Sequence, residues 1–202
     1  MSTPKIAPTV ELRVLSAAAL RALYRLDLAT AGSLVGAPMP AFFETEGWLW
    51  RWRLHQIEAD PRSAHWYVRA AVAVSPDGPI VVGHAGFHGP PDDAGMIEIG
   101  YTVVPDLRGR GYGHAIVAAL VAAAAREPGV RVVRASVSPT NEASLTLIRS
   151  AGFVQVGEQW DDEDGLELVF ERPSERPSEH PAEPTAMQVV TPTVTPTVRP
   201  AV

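Results

Sequence analysis

The sequence predicts a mixed α/β domain, a mixed sheet with helices on both faces. Three observations carry this reading. A β-branched, apolar run at 96–104 passes through a glycine-rich turn at 108–113 into an alanine-rich stretch at 114–126, so a buried strand feeds a helix. Strand-like and helix-like segments follow one another in the order β-α-α-β-β-β-α-β-α-β-β, which suits a sheet covered on both sides. Two turn signals, Ser75-Pro76-Asp77-Gly78-Pro79 and the acidic Asp161-Asp162-Glu163-Asp164-Gly165, join neighbouring strands as hairpins.

The elements follow in order. Residues 10–15 alternate as a first strand. Ser16 is an N-cap for a helix over 17–28, in which Leu20, Leu23, Tyr24 and Leu28 fall at helical spacing. Residues 32–40 break that pattern, and 41–59 read as helix again. This second helix holds Trp48, Trp50 and Trp52, which cannot all face one way. Some belong to the core, and others are free to line a groove. Strands are expected over 65–74 and 80–87, separated from the 96–104 strand by a loop at 88–95. Another buried strand runs over 131–137. Asn141 is a sound N-cap for a helix to Ser150, with Glu142 in its first turn. Strands over 154–160 and 166–172 close the domain. Residues 1–8 read as a flexible N-terminus and 9–172 as the folded domain. Prolines then punctuate Ser, Glu and Thr over 173–202, which reads as a disordered tail because it cannot bury enough apolar surface.

Composition narrows the function. A chain of 202 residues has enough length for one domain with a real core. The formal net charge of −6 argues against a nucleic-acid partner. There is no cysteine, so a disulfide, a thiolate nucleophile or a cysteine-based metal site is impossible; no metal site is expected. No segment approaches the ~18 consecutive apolar residues of a membrane span, and no apolar signal core opens the chain. A soluble, cytoplasmic protein is expected.

The turn Arg108-Gly109-Arg110-Gly111-Tyr112-Gly113 is where chemistry concentrates. A glycine-rich turn that opens a helix is an anion cradle, because the first N–H groups lack partners and the dipole favours negative charge. The backbone N–H groups of Gly109, Arg110, Gly111, Tyr112, Gly113 and His114 form the cradle, with the Arg108 and Arg110 side chains adding attraction. The spacing fits neither a dinucleotide fingerprint, Gly-x-Gly-x-x-Gly, nor a triphosphate loop, which needs Gly-Lys followed by Ser or Thr.

It does fit Arg-x-x-Gly-x-Gly, through Arg108, Gly111 and Gly113, and so resembles the pyrophosphate loop of the GNAT family, the Gcn5-related N-acetyltransferases. The lead-in Glu98-Ile99-Gly100-Tyr101 and the later Asn141-x-x-Ser144 followed by Gly152-Phe153 are similar to two further segments of that family. The resemblance covers residues 9–172, and its flavour is that of the ribosomal-protein N-terminal acetyltransferases. It implies a central, mostly antiparallel, twisted sheet of about six or seven strands with helices on both faces. It also implies acetyl-CoA as co-substrate, and acetyl transfer to a primary amine by direct attack in a ternary complex. The acceptor is then an amine-bearing small molecule or a peptide N-terminus, and a homodimer fits the family's habit.

Candidate roles follow. By resemblance, Val103 and Val104 pair with the pantetheine amides where the fourth and fifth strands splay, and Ser138 and Pro139 are consistent with that break. A backbone N–H near Val103 polarises the thioester carbonyl. Glu98 alternates with Ile97, Ile99, Tyr101 and Val103 and so points to the opposite face. A carboxylate in an apolar strand is costly unless wet, paired or functional, and the family places a base at this position. His84 and His88, on the adjacent strand, are alternative bases. Many family members carry a tyrosine where this chain has Ile148; Ser144 is the substitute that the ribosomal-protein branch suggests as proton donor, with Tyr112 or solvent as alternatives. Asn141 caps its helix and is also placed to touch CoA. The departure at Ile148 keeps a second reading open, a non-catalytic acyl-CoA-binding sensor. A nucleotide-phosphate binder is a third.

The acceptor region has two markers. The tryptophan group is a candidate acceptor wall, a placement that rests on the resemblance. The acidic turn at 161–164 is either a lure for a cationic amine or a solvated hairpin tip.

Overall fold

The computed structural model describes residues 8–75, 77–162 and 165–174. Its elements are β1 (Val10–Val14), α1 (Ala17–Tyr24), α2 (Leu28–Val35), α3 (Gly47–Ala59), β2 (Val68–Ser75), β3 (Gly78–Phe87), β4 (Met96–Val103), α4 (Tyr112–Ala124), β5 (Val132–Val137), α5 (Glu142–Ser150), β6 (Val154–Asp161) and β7 (Gly165–Pro173). The seven strands make one sheet in the order β1-β2-β3-β4-β5-β7-β6. Every neighbouring pair is antiparallel except β4 and β5, which run parallel. This is the mixed, mostly antiparallel sheet that the sequence implied.

Strand alternation sorts the core into two layers. On β2, Ala71 and Ala73 join Ile97 and Ile99 of β4 beneath α4 and α5, which contribute Ile116, Val117, Leu120, Leu145 and Ile148. Their neighbours Val68, Ala70 and Val72 face the other way, onto Leu20 and Leu23 of α1 and Trp50 of α3. Trp50 is fully buried, and its indole N–H donates to the Phe43 carbonyl at 2.7 Å, which removes the penalty of burying that group.

Several element boundaries differ from expectation, for local reasons. The expected helix over 17–28 is two helices. Leu26 adopts a left-handed φ of 61°, and Asp27 starts α2 by accepting the Thr30 N–H at 3.0 Å. Gly32, expected to break the pattern, lies inside α2, because a Cβ there would stand 3.0 Å from the Ala37 carbonyl oxygen. The segment over 41–59 begins as a 3₁₀ turn, Ala41–Glu46, and turns α-helical only from Gly47. Strand β2 starts at Val68 rather than 65, and α4 starts at Tyr112 rather than 114. Strand β7 continues through Pro173, and the Ser174 N–H donates to Arg131 O at 2.8 Å. The tail expected over 173–202 therefore lies, from 175 onward, outside the described residues, as do residues 1–7 of the expected flexible N-terminus. Among the described residues no helix is long and apolar enough to cross a membrane.

Candidate active site

The site assembles where β4 and β5 part. Their ladder covers Met96, Ile97 and Glu98 against Val132, Val133 and Arg134, and stops there, although β4 continues to Val103 and β5 to Val137. Backbone groups alternate in direction along a strand. Val104 N donates to Val82 O at 2.9 Å and His88 N donates to Glu98 O at 2.9 Å, so even-numbered positions of β4 face β3. Tyr101 and Val103 therefore direct their backbone groups into the open wedge. Val104 does not. Its N–H serves β3, and its carbonyl accepts Leu107 N at 2.9 Å. Of the two valines expected at this edge, only Val103 faces the gap. The Arg108 guanidinium crosses the mouth of the wedge, donating from Nε to the Val103 carbonyl at 3.2 Å.

The glycine-rich turn sits at the same end. Gly109 and Gly111 adopt φ of 71° and 90°, a region open to glycine without strain. Side chains cap α1, α2 and α5 through Ser16, Asp27 and Asn141, but α4 has no side-chain cap. Its leading N–H groups are left for an external acceptor. Arg108 and Arg110 are exposed beside them. At Gly113 a Cβ would lie 2.5 Å from Leu147 Cδ1, so this glycine lets α4 and α5 approach. His114 Nε2 lies 3.0 Å from Ser150 Oγ and links the two helices. An uncapped helix start with two positive-φ glycines and two exposed arginines fits a pyrophosphate.

Ser144, in the first turn of α5, is held from two sides. Its N–H donates to the Asn141 side chain at 3.1 Å, and its hydroxyl lies 2.8 Å from the Tyr101 hydroxyl. Burial pushes the Tyr101 phenol up, and the hydrogen bond with Ser144 pulls it partly back. Tyr101 thus keeps its proton at neutral pH. Ile148 is fully buried in the core, so α5 offers no hydroxyl there. The partner hydroxyl comes from β4 instead. Tyr101 was seen in the sequence only as an apolar-face position, because its pairing with Ser144 spans 43 residues.

Glu98 points to the opposite face, as alternation required. Its Oε1 accepts from Ser136 Oγ of β5 at 2.6 Å. Gln159 Nε2 donates to Ser136 Oγ at 3.2 Å and to Glu167 Oε2 at 3.0 Å. A side-chain chain thus crosses the point where the backbone ladder has ended. His88 Nδ1 stands 4.0 Å from Glu98 Oε1. The His88 ring lies over Gly100, where a Cβ would fall 2.9 Å from Nε2.

His88 also lines a cavity of about 750 Å³ on this face, together with Trp48, Trp52, His84, Thr102 and Trp160. Glu98 is not among the residues that line it, but His88, its neighbour at 4.0 Å, is. The tryptophan group divides as its spacing required: Trp50 enters the core, while Trp48 and Trp52 stack at 6.2 Å and line the cavity. Asp161 and Asp162 line it too. Glu163 and Asp164 lie outside the described residues.

Two buried groups line the cavity: Arg53, which the sequence reading did not single out, and His84, which it named as an alternative base. Arg53 is 6% exposed, with its guanidinium 4.2 Å from the Trp52 ring, and burial lowers it to about 10. His84 sits among Phe42, Phe43 and Trp50. It is pushed down to about 4, by burial first and the Arg53 charge second, and is neutral at pH 7. Its Nε2 is buried without a hydrogen-bond partner, 3.9 Å from Glu46 Oε2.

A family model described as "Acetyltransferase (GNAT) domain" matches residues 10–154. No curated protein sequence matches the chain. Among solved structures, the chain is similar to RimJ of Mycobacterium smegmatis in complex with CoA-disulfide, at 21% identity, TM-score 0.56 and 81% of each chain covered. It is similar to RimL, a ribosomal L7/L12 alpha-N-protein acetyltransferase, at 18% identity and TM-score 0.55, over 82% of this chain and 90% of that one. A spermidine N-acetyltransferase SpeG chimera from Vibrio cholerae and hSSAT matches at 15% identity and TM-score 0.55, over 82% of this chain and 96% of that one. At these identities the structural matches speak for the fold.

Proposed function

Because the chain belongs to the GNAT acetyltransferase family, we propose that it moves an acetyl group from acetyl-CoA to a primary amine by direct attack in a ternary complex. The observation that carries this reading is the wedge between β4 and β5, with an uncapped helix start at one end and two polar groupings on either face of β4. The co-substrate supplies the activated acetyl group as a thioester. Gly109, Gly111 and the leading N–H groups of α4 hold the pyrophosphate, aided by Arg108 and Arg110. The Val103 backbone, facing the gap, orients the pantetheine arm, and its N–H polarises the thioester carbonyl.

Two proton transfers remain. The amine must lose a proton as its C–N bond forms, and the sulfur must gain one as the C–S bond breaks. Glu98, 4.0 Å from the cavity-lining His88, takes the first through His88 or an intervening water. Ser144 delivers the second and is re-protonated by Tyr101 at 2.8 Å. A serine alone is a poor acid, and the Tyr101 contact supplies what Ile148 does not. This hydroxyl pair favours an enzyme over a non-catalytic acyl-CoA sensor.

Thermal unfolding in the presence of acetyl-CoA tests the reading. A ligand binding only the native state adds about 2.7 kcal/mol at a hundredfold excess over Kd, so a clear rise in Tm is expected. The rise should vanish in Gly111→Glu and shrink in Arg110→Glu, an exposed position that leaves the fold intact. No shift in the wild type removes the basis of the reading. A shift without N-acetylated product from any amine favours the sensor.

A further inference from the structure

The cavity beside β4 is aromatic and acidic at once. Trp48, Trp52 and Trp160 line it and are 63%, 46% and 75% exposed. Large aromatic faces gathered around one opening mark a binding surface. Two of them are held in place before anything binds. Trp48 and Trp52 stack with an interplanar angle of 21°, and the buried Arg53 guanidinium lies 4.2 Å from the Trp52 ring centroid. A wall ordered in advance loses less freedom on binding.

The charge around these rings is negative. Glu46, Asp161 and Asp162 line the cavity, and Arg53 is the cation of the lining among the described residues. Deeper in, His84 Nε2 is buried with no partner, 3.9 Å from Glu46 Oε2. Such a nitrogen is costly while unsatisfied. With the ring proton on Nδ1, it is an acceptor that an N–H group beside Glu46 would satisfy.

We propose that this cavity takes a primary amine carried a short spacer from an aromatic ring. The ring stacks against Trp48, Trp52 and Trp160, and the ammonium points to Glu46 and the Asp161–Asp162 turn. Stacking and cation–π attraction then act together with the carboxylates. A polyamine satisfies the charge and leaves the rings bare, and an acceptor bearing its own carboxylate is repelled. The inference rests on reading this cavity as the acceptor side of the acetyl transfer. A free arylalkylamine and the aromatic first residue of a peptide share this chemistry.

Calorimetric titration of the full chain without acetyl-CoA tests the proposal with four probes: phenethylamine, the dipeptide amide Phe-Ala-NH₂, spermidine and hexylamine. One of the two aromatic amines should bind at least tenfold more tightly than spermidine and hexylamine, and which one wins identifies the source. Trp48→Ala, Trp160→Ala and Glu46→Gln should each weaken that binding about tenfold. Both tryptophans are exposed, so these variants keep the fold. Equal binding of all four probes, or binding indifferent to the two tryptophans, overturns the proposal. Acetyl-CoA is then added. Aromatic amine binding without acetylation supports the ligand class and counts against the transferase reading. Acetylation of spermidine with no aromatic amine bound does the reverse.

Discussion

The Tyr101 and Ser144 hydroxyls lie 2.8 Å apart and join β4 to the first turn of α5. Tyr101 is also among the residues that line the cavity of about 750 Å³. Under the proposed transfer, this phenol and alcohol supply the proton that the departing sulfur takes up.

Tyr101→Phe removes the phenol hydroxyl and keeps the ring. Loss of one hydrogen bond should cost the fold about 1 kcal/mol. Turnover should fall by roughly 10²-fold, as for loss of a proton-transfer group, with the acetyl-CoA thermal shift unchanged. Ser144→Ala should fall as far, and the double variant no further, because the two act in series. Additive losses in steady-state kinetics would place the two hydroxyls in separate roles.

Glu98→Gln keeps an oxygen for Ser136 and removes the base. The expected result is a kcat lower by about 10²- to 10³-fold, with an acetyl-CoA shift like that of the wild type. His88→Gln should give a smaller loss of kcat. If Glu98→Gln turns over normally, the base is His88 or His84.

Two strand glycines should respond differently to alanine. At Gly83 a Cβ would run into the backbone carbonyl of Thr102, which cannot yield without breaking the β3–β4 ladder. Gly83→Ala should destabilise by roughly 3 kcal/mol or more, read by urea unfolding. At Gly100 the obstacle is the His88 ring, 2.9 Å from a Cβ, and a ring can swing aside. Gly100→Ala should therefore fold with a loss of about 1 kcal/mol and lose activity through His88.

His84 gives stability a pH dependence. Its pKa is depressed from 6.5 to about 4 in the native state, so the unfolded chain takes up the proton first as pH falls. Stability from this site is fully present above pH 6.5 and is lost as pH falls through about 4, by up to roughly 3 kcal/mol. Glu46, raised by burial, opposes it at the acid end, since protonation there favours the native state. Urea unfolding between pH 7 and pH 4 should show a shallower acid loss in His84→Phe than in the wild type. Parallel curves would show that His84 does not titrate in this window.

Most of the fold was legible because periodicity is local. The apolar alternation of β4 placed Ile97 and Ile99 inward and Glu98 outward, and both layers of the core agree. The break at Asp27 was missed because Leu20, Leu23 and Leu28 keep helical spacing across it. A short helix capped by one aspartate looks, in spacing alone, like a continuation. Gly32 was misread for a related reason, since a glycine that allows close packing and one that ends a helix are the same letter.

The glycine-rich turn could be read from its residues because its geometry belongs to contiguous backbone, glycines at fixed offsets before a helix. The rest of the site could not. Val103 and Val104 are adjacent, yet only strand pairing decides which faces the gap, through the Val104 N–H bond to Val82. Tyr101 meets Ser144 and Glu98 meets Ser136 over 43 and 38 residues, and Trp48 and Trp160 line one cavity. The sequence by itself determined the strand and helix periods, the glycine-rich turn before α4 and the buried face of each element, because these follow from near neighbours and backbone geometry. The tertiary structure decided which side chains share a proton or a cavity wall, because that depends on where a parallel ladder ends and which strands then diverge.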